Sequence, residues 1–295
     1  MVGTALSKAL LAKGYAVIIL GRSQGKKSDH PALSYATWDI EKEEIDKEAI
    51  GKADYIIHLA GASVIEKKWT EKRRREIIDS RVKSSELLVK ALTDYPNKVK
   101  AVISTSAIGY YGEDADRSTA FVETDAPAAG FLSDVCRLWE ESIQPVTQLN
   151  KRLVIFRIGI VLSPDGGALQ EFAKPLAVNV AAYMGNGKQI ISWVHMDDLA
   201  AMYIAAIEKE EMKGVYNAVA PQPVSNKALV IQLARSKGKR FYIPFPVPAF
   251  LLKLVLGERS QEILKSATVS AEKIEATGFM FSYPSIKKAL DSFFS

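Results

Sequence analysis

The chain has 295 residues, of which 48% are hydrophobic and 25% charged, with a formal net charge of +5 and one cysteine. That length and apolar share supply the core of one large domain or two interleaved ones, and exclude a disordered or low-complexity chain. The single cysteine, Cys136, excludes an intramolecular disulfide framework and fits a reducing compartment.

No stretch reaches the roughly 18 apolar residues of a spanning helix, and no charged-then-apolar leader opens the chain. The expectation is a cytoplasmic protein with no membrane partner.

The chain opens on Met1-Val2-Gly3-Thr4-Ala5-Leu6 and runs into an amphipathic helix over 3–13, stopped by Gly14. A dinucleotide-binding βαβ unit needs a strand, two early glycines for the tight turn and pyrophosphate approach, and a third for close helix packing. Gly3 reads as the third. The opening therefore looks like the end of such a fingerprint with its first strand missing from the chain, as from a start placed too late or a trimmed sequence. A chain lacking that strand would bind phosphate weakly, and a truncated product that binds no dinucleotide is one alternative.

The strand expected over 15–21 ends at Gly21-Arg22. In a βαβ unit that strand end lies beside the adenosine ribose, where a carboxylate accepts from a 2′-hydroxyl and a cation receives a 2′-phosphate. A basic residue there reads as selectivity for NADP(H). The plainer alternative is a surface Arg that closes a strand.

Further strands are expected near 34–38, 54–59, 99–105 and 153–158, alternating with helices over 43–50, 70–94 and 132–148. This alternation predicts an α/β fold, a doubly wound parallel sheet with right-handed crossovers and helices on both faces. The strand beginning at Asp54 opens into Ala60-Gly61, whose small side chains let the backbone approach a flat ring or a diphosphate. His58, inside the same apolar run, reads more readily as a packed, hydrogen-bonded residue than as a base. The cations Lys67, Lys68 and Lys72-Arg73-Arg74-Arg75 alternate with Glu66, Glu71, Glu76 and Asp79. They read as a solvated helix face, and the absence of interleaved aromatics speaks against nucleic acid. Steering a phosphorylated cofactor or substrate is a second use.

After Arg157 the pattern breaks into short elements around Gly166-Gly167, Gly185, Gly187 and the Pro244-to-Pro248 stretch. The expectation is a dinucleotide-binding domain over 1–162 and a smaller α+β C-terminal lobe over 163–189 and 221–295. Residues 190–220 return to the first domain through a helix capped by Asp197 and a strand over 214–218. Trp193 and His195 fall at the turn between lobes and, with Trp69 and Tyr110, are expected to line a substrate cleft. Arg81, on the long 70–94 helix, either reaches that cleft or anchors the helix by a salt bridge. Cys136 reads as core, and the dispersed histidines offer no metal site.

Gly3, Leu20-Gly21-Arg22, Trp38-Asp39, His58-Leu59-Ala60-Gly61 and Ser104-Thr105-Ser106-Ala107 together resemble the extended short-chain dehydrogenase/reductase superfamily of the sugar-nucleotide epimerase type. The stretches Trp69 to Arg81, Ser106 to Gly112, Arg157 to Leu162, Trp193 to Ala200 and Gly278 to Phe281 narrow the likeness to the YfcH-like epimerase family, atypical members with a C-terminal domain of unknown function. The resemblance implies a Rossmann-like fold and NADP(H). It places Arg22 and Ser23 at the 2′-phosphate and Asp39 and Ile40 at the adenine. Leu59, Ala60 and Gly61 fall at the diphosphate and ribose, and Thr105 and Ser106 at the nicotinamide.

Active members use a Ser that orients the carbonyl, a Tyr that moves the proton and a Lys four residues on that lowers the Tyr pKa. Ser106 matches the first, but Phe131 and Val135 stand where the pair is expected. Tyr283 and Lys287 have the right spacing but Pro284 between them, and read as coincidence. Tyr111, beside Tyr110, is the expected stand-in for the proton carrier, against a reading in which both rings pack their loop. Glu113 and Asp134 read as solvated. The resemblance thus implies an oxidoreductase or epimerase acting on a small molecule, with nucleotide sugars as the class given by analogy. The alternative is a non-catalytic NADP(H)-binding sensor or scaffold, such as a cell-division-related regulator. A monomer or a homodimer fits either.

Overall fold

A computed structural model of the chain describes residues 1–22, 28, 30–114 and 119–294. Helix α1 (Val2–Ala12) buries Leu6 and Leu10, one turn apart, and Gly14 at a φ of 86° leads the chain out into β1 (Val17–Gly21). Strand β2 (Leu33–Asp39) lies parallel to β1, with Val17 opposite Leu33 and Gly21 opposite Thr37. The helix expected from residue 43 starts later. Glu44–Ile45 forms β3, antiparallel to β2 with Ile45 opposite Trp38, because Ile45 is buried by that pairing. Asp46 then caps α2 (Lys47–Lys52), accepting from the Ala49 amide at 2.9 Å.

Strand β4 (Tyr55–His58), helix α3 (Glu71–Asp94, capped by Thr70), strand β5 (Ala101–Ala107), helix α4 (Phe131–Ile143) and strand β6 (Arg152–Ile158) follow. Short elements come next: β7 (Ile160–Leu162), α5 (Ala168–Ala173), β8 (Val180–Met184), β9 (Ile190–Ile191) and β10 (Trp193–His195). Helix α6 (Met196–Glu208) leads to β11 (Gly214–Ala218). The remainder is β12 (Val224–Ser225), α7 (Asn226–Ser236), β13 (Ile243–Val247), α8 (Ala249–Leu256), α9 (Arg259–Leu264), α10 (Glu272–Glu275) and α11 (Ile286–Asp291). Among the described residues no helix is long and apolar enough to cross a membrane.

The parallel core is divided. Strands β4, β5, β6 and β11 form one parallel sheet in the order β11-β6-β5-β4, and β1, β2 and β3 form a second, with β1 and β4 as edge strands. Val17 of β1 and Ile57 of β4 pack on one apolar core, and Leu20 and Ile56 on the core of the opposite face. Helices thus cover both faces, as the alternating pattern predicts. The start of α1 meets the end of β4: a Cβ on Gly3 would lie 3.6 Å from Leu59 Cδ1. Because β1 runs back along α1, the ends of β1, β2, β4, β5, β6 and β11 all open at one edge.

The C-terminal residues do not keep to a separate lobe. Val269, Ala271 and Ile274 are buried in the core beneath the four-stranded sheet, whereas Ala289 and Leu290 join the second core around Trp193 and Leu229. The anchor is Asp198, which accepts from the Ser282 and Tyr283 amides at 2.8 and 2.9 Å. The cap of α6 is His195 rather than Asp197: its Nδ1 accepts from the Asp197 amide at 3.0 Å. The imidazole is stacked between Tyr283 and Phe293, at 3.7 and 4.5 Å between ring centroids. Tyr283 therefore serves this anchor, and Lys287 pairs with Asp291.

Gly159 joins β6 to β7 where a Cβ would lie 2.6 Å from the Ser192 carbonyl oxygen and 2.8 Å from Val219 Cγ1, both in the packed interior. Gly159→Ala is therefore expected to destabilise the fold by roughly 1–3 kcal/mol, read as a lowered urea midpoint; an unchanged midpoint would contradict the close approach.

His58 is also interior: its Nε2 lies 2.9 Å from Ser84 Oγ, whose own proton goes to the Ser80 or Arg81 carbonyl, so Nε2 is the donor. Burial holds the pKa of His58 down to about 4 and that of His195 down to about 4, from an ordinary 6.5. Both rings are neutral when folded, so the unfolded chain takes up the extra protons. Their contribution is complete above pH 6.5 and is lost as pH falls toward 4. Urea unfolding at pH 7 and pH 5 should show a loss of up to about 2 kcal/mol per histidine, reduced in His58→Gln. Equal falls in His58→Gln and the parent chain would contradict this assignment.

Candidate functional site

The edge where the strands open carries three features suited to an anionic nucleotide. The first turn of α1 carries no acidic residue and lies against the end of β4, so its dipole favours an anion at this edge. Gly61 follows β4 with its backbone exposed, and a Cβ there would lie 3.0 Å from Arg81 Cζ, so the missing side chain is what lets the guanidinium seat against the strand end. Arg22 follows β1 and is exposed at its tip. Ser23 lies outside the described residues.

The other expected cofactor contacts are partly occupied within the protein. Asp39 Oδ1 accepts from the Glu41 and Lys42 amides at 3.0 and 3.2 Å, forming the turn into β3, while Ile40 packs on the core beneath β5 and β6. The Thr105 hydroxyl is 2.5 Å from that of buried Tyr203. Leu59 and Ala60 are half-buried beside Gly61, leaving their backbone as the face they offer.

At the end of β5 a buried polar network begins. Ser106 Oγ donates to Glu140 Oε1 at 2.7 Å, and Arg157 clamps the same carboxylate from Nε and Nη2, both at 2.8 Å. Arg157 Nη1 also donates to the Tyr111 hydroxyl at 2.9 Å, which donates to Asn217 Oδ1 at 2.7 Å. Burial alone would lower the Arg157 pKa; the hydrogen-bonded Glu140 carboxylate outweighs it and the net shift is upward, so the guanidinium stays charged. Ser106 is itself buried, and with its proton committed to Glu140 only its lone pairs are left uncommitted.

Tyr111 departs from the expectation of a cleft-facing phenol. Its side chain is fully buried, stacked at 5.0 Å on Phe121, and burial pushes its hydroxyl up to about 12. Tyr110 is half-buried, with its ring centroid 3.5 Å from Arg157 Cζ. Cys136 is core as expected, its thiol pushed up to about 11 by burial.

Of the expected cleft residues, Trp193 and His195 are interior. Trp193 is fully buried and donates its indole N–H to the Gln222 carbonyl at 2.9 Å, and His195 is enclosed by the C-terminal anchor. Strand β10 pairs with β7 between two cores, which leaves neither ring a route to solvent. Trp69 is at the mouth, half-buried, meeting Phe131 edge-on at 5.0 Å. Arg81 reaches the edge instead of closing a salt bridge among the described residues. It donates from Nη1 to the Ala62 and Ile77 carbonyls at 3.1 and 2.9 Å and lies 4.9 Å from the Trp139 ring centroid.

Glu140 and Asn217 lie outside the sequence expectation. Glu140 had a visible signal: it interrupts the stripe Val135, Cys136, Trp139 and Ile143, which at helical spacing is the buried face of α4. A charged residue in such a stripe needs a buried partner.

The family model for the NAD dependent epimerase/dehydratase family matches residues 1–218, and that for a domain of unknown function, DUF1731, matches residues 247–293. An epimerase family protein of Staphylococcus saprophyticus is 34% identical over 291 residues, covering 99% of this chain and 95% of that protein. One of Mycobacterium bovis is 30% identical over 291 residues, covering 98% and 93%. The crystal structure of human epimerase family protein SDR39U1 (isoform 2) with NADPH aligns with a TM-score of 0.85 and 27% identity over 99% of this chain and 95% of that one. UDP-glucuronic acid 4-epimerase from Bacillus cereus, in complex with UDP-glucuronic acid and NAD, aligns with a TM-score of 0.80 and 18% identity over 99% and 94%, a likeness of fold alone. With its parallel Rossmann-like core and its C-terminal DUF1731 segment, the chain belongs to the NAD-dependent epimerase/dehydratase family.

Proposed function

We propose that the chain binds NADP(H) along the edge where its parallel strands open and serves as an atypical short-chain reductase for a small carbonyl or hydroxyl substrate, with nucleotide sugars as the class suggested by family analogy. What carries this reading is a convergence at one edge: the exposed Arg22, the Cβ-free Gly61 with Arg81 against it, and the first turn of α1, free of acidic residues. The NADPH in the human relative's structure supports it.

Arg22 would receive the 2′-phosphate, and the α1 amides with Gly61 the diphosphate. Arg81 supplies the cation that a lysine at position 135 supplies elsewhere. Its guanidinium borders Gly61 and lies 4.9 Å from the Trp139 ring centroid on α4, the helix that carries Val135. Bound NADP(H) would contribute a hydride donor or acceptor. Ser106, buried with its proton held by Glu140, would fix the end of β5 beside the ligand. Tyr111 has no part in proton transfer here, because its phenol is sealed in the Arg157 network.

A second reading, in which the protein binds NADP(H) as a sensor without turnover, is favoured by the lack of a proton carrier: the family's tyrosine position holds Phe131, and the phenol of Tyr111 is buried. NADPH oxidation in the presence of a ketone and nucleotide-sugar panel supports the reductase, and stoichiometric binding without oxidation supports the sensor. For the cofactor, titration of Arg22→Asp should show NADPH binding weakened by roughly 1.5–3 kcal/mol, about 10- to 150-fold, and NADH binding nearly unchanged. Equal weakening of both would remove Arg22 from the 2′-phosphate.

A further inference from the structure

At the mouth of the same edge, α3, α4 and the turn between α8 and α9 meet over an aromatic floor. Phe131 opens α4 and Trp69 meets it edge-on, its indole fixed by donation from Nε1 to the Val64 carbonyl at 2.7 Å. Arg74 projects onto this floor, its guanidinium carbon 4.5 Å from the Phe131 centroid and 5.6 Å from that of Trp69. Glu258, 62% exposed, closes an ion pair with it from the other side.

The neighbouring arginines have other duties. Arg73 is buried, donates to the Ser63 carbonyl and pairs with Glu76 at 2.7 Å. Arg259 is largely buried and donates to the Ile65 carbonyl at 2.6 Å. Both pin the loop before α3, while Arg74 is carried on rings and has no such backbone tie among the described contacts.

We propose that Arg74 is the receptor for an anionic group of the substrate, a carboxylate or a phosphate, and that Glu258 holds its place in the ligand-free protein. The inference rests on the reading of this edge as the cofactor and substrate site, and names the charge class of that substrate. Three physical points support it. A guanidinium lying on two aromatic faces is already oriented and poorly hydrated, so it loses little on gaining an anion. A single ion pair with so exposed a carboxylate contributes little to stability, so the arrangement is poorly explained as a structural tie. Replacing Glu258 by an incoming anion leaves the charge around Arg74 unchanged, so the exchange carries no penalty of an uncompensated charge. The phenylalanine that removes a proton carrier from this position gives the guanidinium its platform.

The test is calorimetric titration of the full chain with inorganic pyrophosphate and, separately, citrate, in saturating NADPH so that the diphosphate-binding edge is filled. The expected result is saturable binding of at least one probe, tightened threefold or more in Glu258→Gln and weakened tenfold or more in Arg74→Met. The preferred probe tells phosphate from carboxylate. NADPH affinity should be the same in all three proteins. Because Glu258 is exposed, Glu258→Gln keeps the test decisive even if Arg74→Met fails to fold. No binding of either probe, or affinity unchanged or lowered in Glu258→Gln, overturns the proposal. If NADPH itself does not bind, the cofactor reading fails on its own, and the pyrophosphate response of the two variants still decides this site.

Discussion

The arrangement of the candidate site depends on one buried ion pair. Arg157 sits at the end of β6 and Glu140 on the inward face of α4; each satisfies the other, and their remaining hydrogen bonds reach Ser106 on β5 and, through Tyr111, Asn217 on β11. Three neighbouring strand ends and one helix are thus held to a common geometry by groups that have no water to turn to. A buried pair of this kind adds little net stability, but stripping away one partner leaves a charge uncompensated, which typically costs about 3–5 kcal/mol. Its role is to fix position, and it also fixes the direction of the Ser106 hydroxyl, so that the oxygen at the end of β5 is an acceptor.

Around that pair, arginines divide the work according to their surroundings. Arg157 is clamped by a carboxylate, Arg81 by backbone carbonyls, Arg74 by aromatic rings, and Arg22 stands exposed at a strand tip. The first is saturated with partners and structural. The other three keep faces that a carboxylate or phosphate can use, and all three lie along the edge where the strands open. An anionic dinucleotide with an anionic substrate beside it is the ligand set such a distribution fits.

Much of this was legible in the sequence because it is local. The parallel strands and their helices follow from apolar runs and caps; His58 reads as packed from its apolar strand, and Cys136 as core from its helix and the lack of a paired His. Asp46 illustrates a near miss: its capping strength outweighed the helical pattern that began at residue 43, and Ile45 went to a strand. What escaped is long-range. Trp193 and His195 sit in a polar, motif-like stretch that looks cleft-facing, but the C-terminal residues Tyr283 and Phe293 fold back to enclose the imidazole. The cation run at 72–75 read as a solvated face, and half of it is: Lys72 and Arg75 are exposed, whereas the helical period turns Arg73 and Arg74 inward. Tyr111 looked available only because its partners, Arg157 and Asn217, lie far away along the chain.

On the function proposed above, the dinucleotide lies along the edge formed by the strand ends. Backbone amide hydrogen exchange with and without saturating NADPH measures this directly. Protection should concentrate in the first turn of α1, at residues 59–63 and 104–107, and at the tip of β1. Protection confined to the C-terminal residues, or none anywhere, would contradict it.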